Sequence, residues 1–456
     1  MPDDPPSASG SRAAAGSPVT FSDLFADREF RSLYLAGVLS WLGDYLARAA
    51  ITVLVYQETS SVLLSAVSFA LSYLPWIVGG PVLAALAERY PYRRVMILCD
   101  VVRMVLFALI VIPGLPVGWV IALLLAAALA GPPAQAAKSA LLPLILPADR
   151  LVAGLAVNSS SNQAAQVVGY LAGATIAAAY SPGVAIAVNA AMFGISALLI
   201  AHGIRERPAA RDAGRRTHLL RETAEGFQVV FGDRSLRRVA VLVFSLMLFA
   251  IVPEGLAAAW AAEAGPPGGA RGPAQGMIMA AGPVGFILGG LVIGRFVAPA
   301  RRPALIRPLA VLAPLALVPA LADPPPPVIA LMALVTGFAV AGLLPVLNGM
   351  FVLALPHGYR ARAFGVMQGG MQVTQGAAVL ITGLLAERFG VPVVVGAWSI
   401  GGTLLMLLVA VRRSDVEALD ATVAPPGAAM PGATRVTPAP GPDVMSPPPA
   451  AGRMER

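Results

Sequence analysis

Charge is what this chain has least of. Of its 456 residues only 12% are Asp, Glu, Lys or Arg, about half of the roughly 25% that a soluble domain carries. None falls within 59–87, 104–137, 151–204, 272–294, 324–359, 363–386 or 389–411. A membrane-spanning helix needs about 20 largely apolar residues, because each advances about 1.5 Å across a core of roughly 30 Å. Most soluble enzyme folds are thereby excluded. Lysine is nearly missing: Lys138 stands alone beside 31 arginines. The single cysteine, Cys99, excludes an intrachain disulfide. The three histidines, His202, His218 and His357, are far apart, and no HExxH or Cys/His cluster is present. Ala137-Lys138-Ser139 ends like a phosphate-binding loop but lacks both of its glycines. ATP-driven transport by this chain, enzyme activity and a bound cofactor or metal are therefore not expected. Met1–Thr20 has no apolar signal segment.

What is abundant is apolar: 57% of the chain. Cut at its turn residues, it gives twelve candidate helices near 33–56, 61–84, 95–113, 117–142, 151–180, 184–203, 239–261, 273–294, 304–322, 327–351, 363–386 and 391–411. Pro113-Gly114-Leu115-Pro116, Ser181-Pro182-Gly183 and Asp323 followed by four prolines make three of the breaks. Proline lacks the amide donor and clashes with the preceding turn. The expectation is an all-α membrane protein with twelve transmembrane helices.

The basic residues sort to one side. Arg89, Arg93, Arg94, Lys138, Arg150, nine arginines from Arg205 to Arg238, and Arg295, Arg301, Arg302, Arg307, Arg360 and Arg362 fall in connections on one face; Arg271 and Arg388 fall on the other. Such connections are cytoplasmic, so both termini are expected in the cytoplasm of a multi-pass cell-membrane protein. This placement answers to a lipid bilayer, not to nucleic acid, despite the net charge of +8. The arginine, alanine and proline bias fits a GC-rich, bacterial genome.

The halves repeat. Phe21-x3-Phe25-x-Asp27-Arg28 recurs 206 positions later as Phe227-x3-Phe231-x-Asp233-Arg234. Leu146-Pro147 followed by Gln163 and Gln166 recurs at 209 as Leu355-Pro356 followed by Gln372 and Gln375. Two parallel six-helix repeats make a transporter plan with a mid-membrane site at the repeat interface. The expected layout is a disordered 1–20, a six-helix bundle over 21–203, a basic linker over 204–238, a second bundle over 239–411 and a disordered Pro/Ala-rich tail over 412–456. Segments 21–32 and 219–231 read as interfacial helices.

Ionisable groups within spans are costly, about 2.5–3.5 kcal/mol each at the helix centre. Trp41, Asp44, Tyr45 and Arg48 share one face of the first helix by their i, i+3, i+4, i+7 spacing. Asp44 reads either as a proton carrier beside an aromatic substrate wall or as an i, i+4 partner neutralising Arg48. Glu254 has no basic neighbour within a turn; it reads either as a second proton carrier or as a group reaching external water. Asp100 and Arg103 read as an ion pair beside the Glu88 loop. Gln163 and Gln166, Gln372 and Gln375, and Asn348 are amides suited either to substrate or to neighbouring helices.

Gly80-Pro81-Val82-Leu83-Ala84-Ala85-Leu86-Ala87-Glu88-Arg89-Tyr90-Pro91-Tyr92-Arg93-Arg94 resembles the G-x-x-x-D-R-x-G-R-R loop of the major facilitator superfamily. Ala84, Glu88, Pro91 and Tyr92 replace the first glycine, the aspartate, the second glycine and an arginine. Gly43-Asp44, Gly131-Pro132-Pro133-Ala134 and Val252-Pro253-Glu254-Gly255-Leu256 resemble its drug-exporting branch, which includes macrolide efflux proteins and the enterobactin exporter. Gly169-Tyr170-Leu171-Ala172-Gly173-Ala174 resembles that branch's antiporter motif without its proline. The resemblance implies the major facilitator fold, a cytoplasmic gate of Glu88, Arg89, Arg93, Arg94, Asp100 and Arg103, and a monomer that exports drug-like or antibiotic-like amphipathic molecules by proton antiport. Asp44 and Glu254 are then the proton-coupling candidates. Trp41, Tyr45, Arg48, Gln163, Gln166, Asn348, Gln372 and Gln375 are the substrate-cavity candidates. The alternatives are a nutrient-uptake symporter and a non-transporting membrane sensor or scaffold.

Overall fold

A computed structural model of the chain describes residues 21–75, 90–207, 219–264, 271–355 and 360–410. Glu88, Arg89 and both terminal segments expected to be disordered lie outside the described residues. In the first half the helices are α1 (Phe21–Ala26), α2 (Arg28–Thr59), α3 (Val62–Ala70), α4 (Tyr92–Ile110), α5 (Val117–Leu129), α6 (Gly131–Ile145), α7 (Ala148–Ala179) and α8 (Pro182–Gly203). The linker carries α9 (Leu219–Gly232). The second half has α10 (Arg234–Ala250), α11 (Val252–Ala264), α12 (Arg271–Phe296), α13 (Ile306–Leu315), α14 (Pro326–Ala354), α15 (Arg360–Phe389) and α16 (Val391–Ala410). Among the described residues, nine helical stretches are long and apolar enough to cross a membrane. Every one of the twelve expected spans has helix within it, and the fold is all-α.

The repeated Asp-Arg pair has one structural job in both halves. Asp27 accepts from the amides of Glu29 (2.7 Å) and Phe30 (3.2 Å), and Asp233 accepts from those of Ser235 (2.8 Å) and Leu236 (2.9 Å). Each aspartate thereby caps the first or seventh span, satisfying amides that have no partner within the helix. This corrects the expected interfacial helix over 21–32: α1 stops at Ala26, and residues from Arg28 belong to the span. The fourth and seventh spans are broken near mid-length, at Ala130 before Pro132-Pro133 and at Ile251 before Pro253, because proline cannot supply the next helical amide.

Large apolar side chains such as Leu98, Leu198, Leu291, Leu331, Leu404 and Leu408 point outward, as a lipid-facing belt requires. Inside, small residues bring backbones together. A Cβ on Gly337 of α14 would lie 2.0 Å from the Gly282 carbonyl oxygen of α12, and one on Gly285 would lie 2.0 Å from that of Leu334. Leucine at 337 must push these helices apart, at a cost of about 3 kcal/mol or more. Gly337→Leu should reduce the monodisperse fraction on size exclusion about tenfold or more. Gly349→Leu, with nothing within 4 Å of its Cβ position, should leave it unchanged.

The halves meet at the end away from the arginine-rich connections. One apolar cluster there joins Val62, Ala66, Phe69 and Ala174 of the first half to Leu256, Trp260, Ile278 and Val379 of the second. Gln275 donates to the Ala49 carbonyl (3.0 Å) and to Thr52 Oγ1 (3.1 Å), and the Leu63 amide donates to Glu387 Oε2 (2.9 Å).

Candidate functional site

A cavity of about 950 Å³ lies between the halves. Its lining runs from Ile51, Gln166, Glu254 and Gln375 at mid-depth to Ala36, Met96, Leu155 and Leu344 towards the arginine-rich end. Six acidic or basic side chains line it: Asp44, Asp100, Glu254, Arg48, Arg103 and Lys138. All but Glu254 come from the first half. The second half otherwise supplies the amides Gln368, Gln372 and Gln375 and an apolar wall that includes Met247, Phe286 and Val340.

The helix faces that sequence spacing defined do converge here, but the pairings differ. Asp44 is bound by Arg103 of α4 and not by Arg48. Arg103 is buried beneath this contact, its guanidinium carbon 4.2 Å from the Phe193 ring centroid. Asp100 therefore does not pair with Arg103. It accepts a hydrogen bond from Ser196 (2.6 Å), and both residues line the cavity.

Arg48 sits in an aromatic cage, 5.5, 5.3 and 5.8 Å from the rings of Tyr45, Phe69 and Tyr73. Cation–π attraction replaces the expected carboxylate. Its Nη1 donates to Tyr170 Oη (3.4 Å), which in turn donates to Glu254 Oε2 (3.1 Å). Gln166 Nε2 reaches the same carboxylate oxygen at 3.4 Å. Glu254 is thus neither isolated nor directed to external water. It is the acceptor of a polar chain that starts on α2, passes through α7 and crosses to the second half on α11. Tyr45 closes the group by donating to Asn162 Oδ1 (3.2 Å).

Trp41, Tyr45, Arg48, Gln163, Gln166, Gln372 and Gln375 line the cavity, whereas Asn348 is not among its lining residues. Asn348 lies on α14 one turn beyond Leu344, the last residue of that helix to line the cavity. Arg93 and Arg94 bind the linker: Arg94 pairs with Glu206 at 2.5 Å, and Arg93 approaches the same carboxylate at 3.7 Å. Beside them Arg207 grips Glu29 through both oxygens (2.6 and 2.8 Å). By sequence Lys138 lies near the end of the 117–142 helix and among the basic residues of one face. The structure puts it inside α6, buried and over the Trp41 ring at 3.6 Å. The signal was available, since Pro132-Pro133 suit the first turn of a helix and place Lys138 more than a turn inside it. Among the described residues no three His, Cys, Asp or Glu side chains are grouped to hold a metal.

A two-halved helical bundle around a charged central cavity is the architecture of a membrane carrier. The model of the Major Facilitator Superfamily matches residues 33–265 and 268–440, and the chain belongs to that family of membrane transporters. No curated protein matches it in sequence. Solved structures share the fold at low identity. A peptide transporter, POT, in complex with sulfate is 14% identical with a TM-score of 0.66, covering 88% of this chain and 97% of its own. A mutant of the nucleoside transporter NupG is 15% identical with a TM-score of 0.63, covering 86% and 100%. A bacterial homolog of the human lysosomal transporter Spinster, inward-facing and unoccupied, is 12% identical with a TM-score of 0.64, covering 87% and 97%.

Proposed function

We propose that this transporter exports small amphipathic organic molecules from the cell in exchange for protons, by alternating access of its two halves. The observation that carries the reading is Glu254, a second-half carboxylate held in the cavity by Tyr170 and Gln166 of the first half. An ionised carboxylate accepts hydrogen bonds about twice as strong as a neutral acceptor does. Deprotonated Glu254 therefore favours the arrangement in which these helices touch; protonation weakens both bonds and frees the halves to rock. Asp44, on the opposite wall, is the second proton-coupling group. If cargo and proton compete for the same charges, each lowers the other's affinity, which is the linkage that antiport needs.

With the arginine-rich connections cytoplasmic, the cavity opens inward, as in the Spinster homolog, and is ready to load from the cell interior. The export direction rests on the Gly43-Asp44 and Val252–Leu256 resemblances. The test is flux of radiolabelled anionic, zwitterionic and cationic amphipathic probes in proteoliposomes of known orientation with an imposed pH difference. Accumulation should occur on the side from which protons enter, and Glu254→Gln should reduce it about tenfold or more. Movement of probe with the protons indicates uptake symport and overturns the reading, as does absence of flux for every probe.

A further inference from the structure

Of the six acidic and basic groups lining the cavity, Lys138 is unlike the other five. Asp44 and Arg103 hold each other, Asp100 has Ser196, Glu254 has Tyr170 and Gln166, and Arg48 has Tyr170. Lys138 has no hydrogen-bond partner at its ammonium nitrogen, although the residue is only 7% exposed. Asp100, which lines the same cavity, is not within hydrogen-bond reach of it. What shelters the ammonium is the face of Trp41 and the missing side chain of Gly37, where a Cβ would lie 2.0 Å from Nζ. A buried charge without a hydrogen-bonded partner is among the most costly features a protein interior can hold. An anionic group brought to that ammonium would offset the cost.

We propose that Lys138 is the anchor for an anionic group on the transported molecule, with Trp41 as its cover in the empty cavity. The lysine stem has four carbons and its three donors rotate freely, so the ammonium can leave the indole face and swing into the cavity without moving the helix. The ligand class that meets both residues is an amphipathic zwitterion, whose cationic end can still compete with protons for a cavity carboxylate. Its carboxylate, sulfonate or phosphate monoester takes Lys138, and its flat apolar part takes the indole face that the ammonium vacates. Ser40, Gln135 and Asn158, which line the same end of the cavity, supply further hydrogen-bonding groups. The Arg48 cage points to the same class: its aromatic rings are already filled by an internal guanidinium, so they offer a cationic ligand no free face.

The inference rests on the cavity being the transport site, but it is tested by equilibrium binding, which depends on neither proton coupling nor direction. The full chain in zwitterionic-lipid nanodiscs is titrated calorimetrically with three probes of one size: 2-naphthoate, 2-naphthalenemethanol and 2-naphthylmethylammonium. The naphthoate should bind about tenfold or more tightly than the alcohol, as expected for a hydrogen bond to a charged group. Lys138→Gln should erase that preference while leaving the alcohol within about twofold, and Lys138→Arg should retain it. Lys138→Met should melt no lower than the parent, because it removes an unpartnered charge.

Equal affinity for the three probes, or a preference that survives Lys138→Gln, overturns the proposal. So does misfolding of both the Gln and Met variants, which would assign the lysine a structural partner. Loss of naphthoate binding in nanodiscs containing phosphatidylglycerol would give the site to a lipid headgroup and overturn the cargo assignment. Failed pH-driven flux with the anion preference intact would count against proton antiport alone.

Discussion

Asp44→Asn should abolish pH-driven accumulation, lowering it about tenfold or more, while a neutral probe still equilibrates down its gradient. The substitution keeps the shape of the side chain and removes the charge that holds Arg103. Removing one partner of a buried pair costs about 3–5 kcal/mol, because the other charge is left uncompensated. The Asp44 side chain is 29% exposed, so solvent trims this to about 2–3 kcal/mol. A fall in activity could then reflect instability alone. The double variant Asp44→Asn/Arg103→Gln separates the two effects: it replaces the pair with neutral groups and should recover most of the lost thermal stability but none of the accumulation. If the single variant still builds a normal gradient, Asp44 is structural and Glu254 carries the coupling.

The second large effect is expected at the seam. A Cβ on Gly272 of α12 would lie 2.2 Å from the Ala178 Cβ and 2.8 Å from the Ala174 carbonyl oxygen of α7. These contacts exist only while the halves touch at the arginine-poor end. Leucine at 272 therefore penalises this state, by about 1–3 kcal/mol for overpacking. At about 1.4 kcal/mol per tenfold, the balance moves by about five- to 150-fold towards the state open at that end. With Cys99 replaced by Ser, a cysteine substituted for Ser61 should react at least about fivefold faster with an impermeant reagent applied to the arginine-poor side. Gly290→Leu, where nothing lies within 4 Å, is the control and should react like the parent. An unchanged rate in the Gly272 variant would mean that the seam does not govern access.

The spans and the duplication were legible because each depends on local sequence. Apolar runs report helix burial directly, and the Asp27 and Asp233 caps sit 206 positions apart because both halves start a span in the same way. The shared face of Trp41, Asp44, Tyr45 and Arg48 was also legible, being fixed by helical periodicity. Partnership was not. Spacing of i, i+4 brings Arg48 within reach of Asp44, but which cation wins depends on the neighbouring helices. Here α4 presents Arg103 to Asp44, while Tyr45, Phe69 and Tyr73 enclose Arg48. Lys138 falls within the expected 117–142 helix, but its surroundings were not legible: a charge near the end of an apolar run reads as a membrane-surface charge until the helix start before it is located. Glu254 looked solitary because Tyr170 and Gln166 lie 84 and 88 positions away.

The cavity's carboxylates and basic side chains are matched, three against three. An elementary charge crossing the membrane potential gains or loses about 2.3 kcal/mol per 100 mV. With every group ionised, the cavity carries no net charge, so voltage neither helps nor hinders the movement of these groups. Protonating one carboxylate leaves the cavity with one positive charge in excess. Under the proposed exchange, a cell interior held negative would pull the protonated carrier towards the inward-open state and the return would carry cargo, so the proton step would draw on voltage as well as on the pH difference.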